Sequence, residues 1–213
     1  MTILKPDKSP KFFSPFGPTM GYYKMSQSMV EHLNESMDKK LDDFSDYLVG
    51  KVSQELHFDK DTRNFAANNL LNFIVEYHKY TRDRNSMGLT KLDENKTADL
   101  NIISAWFVRQ FENEYNPVHY HSNCTLSCVG YLKLPENIEE EWEKDYKDHY
   151  PANGHINFIY GTSGRYTCSS FLIKPEVGDF YIFPSELFHG VYPFYTKGER
   201  RSFSMNMIFN LIK

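Results

Sequence analysis

A chain of 213 residues with 40% hydrophobic and 16% aromatic content can bury one good core, which excludes a disordered protein and makes a single domain over 1–213 the expectation. A formal charge of -4 and a pI near 6.1 leave no basic stripe to neutralise phosphates, so nucleic acid is not an expected partner. No apolar run reaches the roughly 20 residues that cross a bilayer, "MTILKPDKSPKFF" has no signal-peptide core, and Cys124, Cys128 and Cys168 lack CxxC spacing, so a cytoplasmic protein with reduced thiols is expected.

Residues 1–24, rich in Pro, Gly and aromatics, predict an extended segment that packs its rings on the body. Met29, Leu33, Met37, Leu41, Phe44, Leu48, Val52 and Leu56 then step by three or four. That period predicts one long amphipathic helix, interrupted near Gly50. "DKDT" supplies N-cap candidates for a second helix, along which Phe65, Asn69, Phe73 and Tyr77 repeat at four, beside Ala66, Leu70 and Ile74. Residues 25–82 are therefore read as supporting helices. Strands are predicted at 101–109, 125–134, 155–160, 169–174, 179–183 and 202–210, separated by Gly, Pro and polar turns. Helices followed by antiparallel strands make the chain α+β, with a mainly β core at 100–213 shaped as a sandwich or barrel. "PENIEEEWEKDYKDHYP" carries seven acids against two lysines between two of those strands. It reads as a solvated helical insertion, with a lid over substrate as the alternative.

"NPVHYHSNC" places His119 and His121 one residue apart beside a strand. Side chains at i and i+2 of a strand share a face, so both imidazoles can reach one metal while Tyr120 turns away. The pair alone leaves a metal site and a chance pairing both open. Two-metal hydrolases continue such a pair as HxHxDH, and Asn123 and Cys124 stand in those places, which argues against that chemistry. His189, after the short strand in "FYIFPSELFH", is the best third ligand. His32, His57 and His78 lie on predicted helices, and His149 and His155, in and beside the acidic insertion, are the runners-up. In "ERRSFSMN", alternation sets Arg200, Ser202, Ser204 and Asn206 on one face, and Arg201, Phe203 and Met205 on the other. A planar guanidinium beside a hydroxyl suits a carboxylate; a solvated edge strand is the plainer alternative.

The order HxH, long gap, "FPSELFH", short gap, "ERRSFSMN" resembles the iron(II)- and 2-oxoglutarate-dependent oxygenases. "NPVHYHSNCTLSCVGYLKLP" and "KPEVGDFYIFPSELFHGVYPF" look more narrowly like the compact forms of marine and T4-like phages, which are grouped with prolyl hydroxylases. The resemblance implies a double-stranded β-helix, a cupin-like jelly roll, with helices supporting one side. It implies iron(II) held by His119, His121 and His189. Arg200 and Ser202 would anchor 2-oxoglutarate, with Tyr131 and Asn206 as weaker cofactor candidates. It implies dioxygen as co-substrate, hydroxylation of a substrate C–H with release of succinate and CO2, and the host cytoplasm as location. A peptidyl prolyl residue is the first substrate expected, with the aromatic residues of "NFIYGTSGRYT" lining a peptide groove; small molecules and nucleobases stay open. Most relatives carry Asp or Glu where His121 stands, and three imidazoles also suit zinc, nickel or copper. Two rivals remain at this point: a cupin-like metal protein that does not use 2-oxoglutarate, and a non-catalytic phage structural or binding module.

Overall fold

The computed structural model describes residues 11–13, 17–39, 41–47, 49–85, 98–143 and 152–211. In chain order it has β1 (Lys11–Phe13), β2 (Met20–Lys24), α1 (Gln27–Met37), β3 (Gln54–His57), α2 (Lys60–Asn85), β4 (Ala98–Gln110), β5 (Asn116–His119) and β6 (Leu126–Lys133). There follow α3 (Ile138–Glu143), β7 (Ile156–Ile159), β8 (Ser170–Ile173), β9 (Asp179–Pro184), β10 (Phe188–Val191) and β11 (Arg200–Leu211). Every named pairing is antiparallel, in a seven-stranded sheet ordered β1-β2-β9-β6-β11-β4-β3 and a four-stranded sheet ordered β5-β10-β7-β8. This is the jelly-roll form of a double-stranded β-helix. Among the described residues no helix is long and apolar enough to cross a membrane.

The central strands are apolar on both sides because both sides are covered. Along β6 and β9, Cys128, Leu132, Phe180 and Ile182 turn toward the helices, while Val129, Tyr131, Tyr181 and Phe183 turn toward the smaller sheet. Gly130 is the exception to the filled pattern: a Cβ there would overlap the ring of Phe203 on β11, so the missing side chain is what lets that ring lie flat on its neighbour. The helices complete the outer layer. Asp59 caps α2 by accepting the Thr62 amide at 2.7 Å, and Ala66, Leu70, Phe73, Ile74 and Tyr77 form its buried stripe. Asn69, expected on that stripe, is exposed and bonds the Phe65 carbonyl.

The long first helix is corrected. α1 opens on Ser26, whose hydroxyl accepts the Met29 amide, and stops at Asp38, whose amide closes onto the carbonyls of Asn34 and Ser36. Asp43 then accepts the Ser45 amide at 2.8 Å, which turns the chain into a single 3-10 turn, Ser45–Tyr47. Residues 54–57 pair with β4 and extend the large sheet. Over a few residues, apolar spacing of three to four is met by a broken path as well as by a helix, and the ladder offered by long β4 wins. Leu41 and Leu56 still reach the core under the helices. The extended N-terminal reading fits β1 and β2, which edge the large sheet; residues 1–10 and 14–16 lie outside the described residues.

The acidic insertion is helical at α3, yet it is not simply solvated. Glu141 is buried and accepts both the Tyr195 and Thr196 amides, and Trp142 donates to the Asn153 carbonyl at 2.7 Å. Residues 144–151, with His149, fall outside the described set. All three cysteines are free thiols, Cys124 and Cys128 buried and Cys168 exposed.

Candidate active site

A cavity of about 350 Å³ opens between the sheets, and His119, His121 and His189 all line it. His119 and His189 are direct partners across β5 and β10, which sets two imidazoles side by side with ring centroids 4.4 Å apart. His121 lies just beyond the end of β5. Its amide donates to the Ser185 carbonyl at 2.9 Å, and the turn that follows passes through Asn123 at φ 60, a left-handed position that asparagine tolerates. One ring nitrogen from each histidine lies within 4.8 Å of the others.

Hydrogen bonds decide which nitrogen is free to take a metal. Nδ1 of His119 is 2.7 Å from the Pro117 carbonyl, and Nδ1 of His189 is 2.9 Å from the Leu187 carbonyl. A carbonyl only accepts, so each Nδ1 carries the proton and each Nε2 keeps a free lone pair. Burial, then the neighbouring His119, lowers His121 to about 4; burial, then His119 and His121, lowers His189 to about 3. Both rings are neutral at pH 7 and ready to bind a cation. His119 and His189 therefore each present an open Nε2, and His121 sets a third neutral ring within reach of both, a group of residues that fits a metal.

The opposite wall is the polar face of β11. Arg200, Ser202, Ser204 and Asn206 all line the cavity, while Arg201 turns to the helix side, where it pairs with Asp38 at 2.8 Å and Glu199 at 2.9 Å. Arg200 is 2% exposed and has no ion pair among the described residues. It donates to the Gly154 carbonyl at 2.8 Å and to the Gln110 side-chain oxygen, its face lies 5.7 Å from the Phe194 ring centre, and its Nε is buried without a partner. A buried charge normally has a counter-charge. Both acceptors are neutral, so the guanidinium is preorganised for an anion that the described residues do not supply. Tyr131 pairs across the ladder with Ser202, and its buried hydroxyl also lacks a partner; burial raises it well above the usual phenol range, which makes it a donor. It is not among the residues that line the cavity. Asn206 stands at the histidine end, its amide nitrogen 3.4 Å from Nδ1 of His121 and its oxygen accepting from Ser127 at 2.7 Å.

Several residues lie elsewhere than expected. His57 is in β3, bonded to the Ala105 carbonyl, and His155 packs edge-on against Trp142 away from the cavity. Tyr160 and Tyr166 are exposed and do not line the cavity, and Phe158 is core between the sheets, so "NFIYGTSGRYT" forms no groove with it. Other lining residues escaped notice in the sequence. Gln110 was readable in principle, since alternation from Ser104 through Trp106 and Val108 carries to it along β4. Glu55 was hidden inside the expected helix.

Residues 104–206 match a family model described as "Putative 2OG-Fe(II) oxygenase". No match is found among curated proteins. Among solved structures, the chain resembles a Pseudomonas putida prolyl-4-hydroxylase at 15% identity and TM-score 0.51, over 89% of this chain and 91% of that one. It resembles a 2OG-Fe(II) oxygenase family oxidoreductase from Burkholderia pseudomallei at 11% identity and TM-score 0.52, over 89% and 84% of the two chains. HygX from Streptomyces hygroscopicus, solved with nickel and 2-oxoglutarate bound, aligns at 10% identity and TM-score 0.52, over 88% of this chain and 82% of that one. At these identities the shared feature is the fold.

Proposed function

We propose that this chain, an enzyme of oxygenase type that uses iron(II) and 2-oxoglutarate, hydroxylates a C–H bond of a substrate held over the three-histidine cluster. His119, His121 and His189 would hold the iron, and Arg200 with Ser202 would anchor the far carboxylate of 2-oxoglutarate, with Tyr131 stabilising the arginine end. The observation that carries this reading is a buried guanidinium without a counter-ion among the described residues, in the same cavity as the three-histidine cluster. When bound, iron(II) with 2-oxoglutarate and dioxygen supplies the oxidising power, yielding succinate, CO2 and a hydroxylated substrate.

The chain's own share is placement and exclusion of water. Val129, Ile156, Phe183 and Val191 supply the apolar lining that keeps bulk water from the polar groups. Three neutral ligands leave the metal's two positive charges to be balanced by the co-substrate dianion alone, so metal and 2-oxoglutarate are expected to strengthen each other's binding. A prolyl residue of a peptide is the first substrate class in this reading. Its support is the fold shared with the prolyl-4-hydroxylase and the sequence motifs, and the narrower likeness to phage-encoded forms rests on those motifs alone.

The test is an anaerobic titration of the iron(II)-loaded protein with 2-oxoglutarate. A weak visible band is expected in the native protein and not in His189→Ala, followed on aeration by succinate and by peptides heavier by one oxygen. Iron binding with no such band and no succinate would favour a metal protein that does not use 2-oxoglutarate.

A further inference from the structure

Glu55 stands on the cavity side of β3, opposite Val108, and is 3% exposed. Three acids are buried among the described residues, and the other two are well partnered: Asp179 by Tyr22 at 3.0 Å and Lys24 at 2.8 Å, Glu141 by the amides of Tyr195 and Thr196. Among the described residues the Glu55 side chain has no hydrogen bond and no ion pair, and its Oε1 is fully shielded. A carboxyl kept in a cavity wall without a partner points to a partner that arrives from outside.

The surroundings indicate its chemistry. The Phe44 amide donates to the Glu55 carbonyl at 2.7 Å, and the Glu55 amide to the Ser45 hydroxyl at 3.1 Å, so the 42–45 segment is pinned beside this residue. Phe44 and Trp106 line the same cavity with ring centroids 5.8 Å apart and planes tilted by 49°. Phe44 also packs on His57 at 4.5 Å, and the two rings that line the cavity beside a carboxyl suit a compact cation, which aromatic rings and the acid both attract. Among the described residues no cation acts on Glu55; the charge that does is Asp43, which repels it, and burial with Asp43 raises its carboxyl to about 7. Trp106 also lies 5.9 Å from the His121 ring, so a group held here borders the metal-binding histidines.

We propose that Glu55, Phe44 and Trp106 form a subsite for an alkylammonium group of the substrate, of the kind that a lysine side chain carries. Its use in hydroxylation rests on the oxygenase reading; its binding does not. In a Trp142→Phe background Trp106 is the sole tryptophan, since the chain has two. Its emission is followed while Nα-acetyl-lysine methylamide, or the uncharged Nα-acetyl-norleucine methylamide, is titrated into zinc-loaded protein with 2-oxoglutarate. The lysine probe is expected to bind at least tenfold more tightly than the norleucine probe. Glu55→Gln, which keeps the shape, should abolish that preference, and Phe44→Leu should reduce it several-fold. Equal binding of the two probes, or a preference unchanged in Glu55→Gln, overturns the proposal. A parallel titration of native iron(II) protein with 2-oxoglutarate separates the cases: no visible band there defeats the oxygenase reading, while the probe preference stands or falls by itself.

Discussion

Replacing Glu55 by Gln should make the metal-free protein more stable at pH 8 and leave it nearly unchanged at pH 4.5. Burial, with a smaller push from Asp43, raises the folded carboxyl from 4.5 to about 7. Between those values the unfolded chain has released a proton that the folded chain still holds. Stability therefore falls as pH rises through this window, and the loss is complete above pH 7. At about 1.4 kcal/mol for each pH unit of separation, the penalty is about 3 kcal/mol. Glutamine has the shape and polarity of the protonated acid and no proton to lose, so its difference from the native protein should be within about 0.5 kcal/mol at pH 4.5. It should grow to about 3 kcal/mol in favour of the variant at pH 8. Urea unfolding of both proteins in chelator, at half-unit steps from pH 4.5 to 8, measures this, because titrating groups that do not interact with Glu55 cancel in the difference. A flat difference, or one that favours the native protein at high pH, would refute the claim that Glu55 is buried without a counter-charge.

Arg200→Ala should weaken 2-oxoglutarate at least 100-fold in the anaerobic visible titration, whereas Arg201→Ala should change it less than twofold and lower urea stability by about 1 kcal/mol through its partly exposed pairs with Asp38 and Glu199; equal loss of affinity in both would defeat the assignment of faces on β11. Asn206→Ala should lower iron(II) affinity about 10- to 100-fold in competition with a chelator, because the amide orients the His121 ring; unchanged affinity would make Asn206 an ordinary wall residue. Gly130→Ala should cost about 1–3 kcal/mol in the same urea assay, since the added methyl meets the Phe203 ring within a packed layer.

Much of the fold was legible wherever periodicity and burial agree. β6, β9 and β11 read as strands because their apolar runs are flanked by turns and lie between two cores. α2 read as a helix because its cap and its stripe point the same way. The strands that carry the site were harder to see. β5 and β10 have four residues each, too few for a pattern, and they are defined by pairing with each other. β3 falls inside the stretch whose spacing predicts a helix, and that spacing carries no sign that Glu55 faces a cavity.

The sequence by itself determined the chemical inventory and its local direction: two histidines at strand spacing, a third after a short strand, and an arginine and serine on one face of the last strand. Local geometry is enough for that, because alternation along a strand needs only neighbouring residues. Tertiary structure alone decided which of these groups meet. The pairing of β5 with β10 brings His119 to His189 across 70 residues of chain, and Gln110 and Gly154 come from separate segments to hold Arg200. It also decided what is missing around them among the described residues, a cation beside Glu55 and an anion beside Arg200. A counter-charge is a property of the space around a group, and that space exists only once distant strands have closed on it.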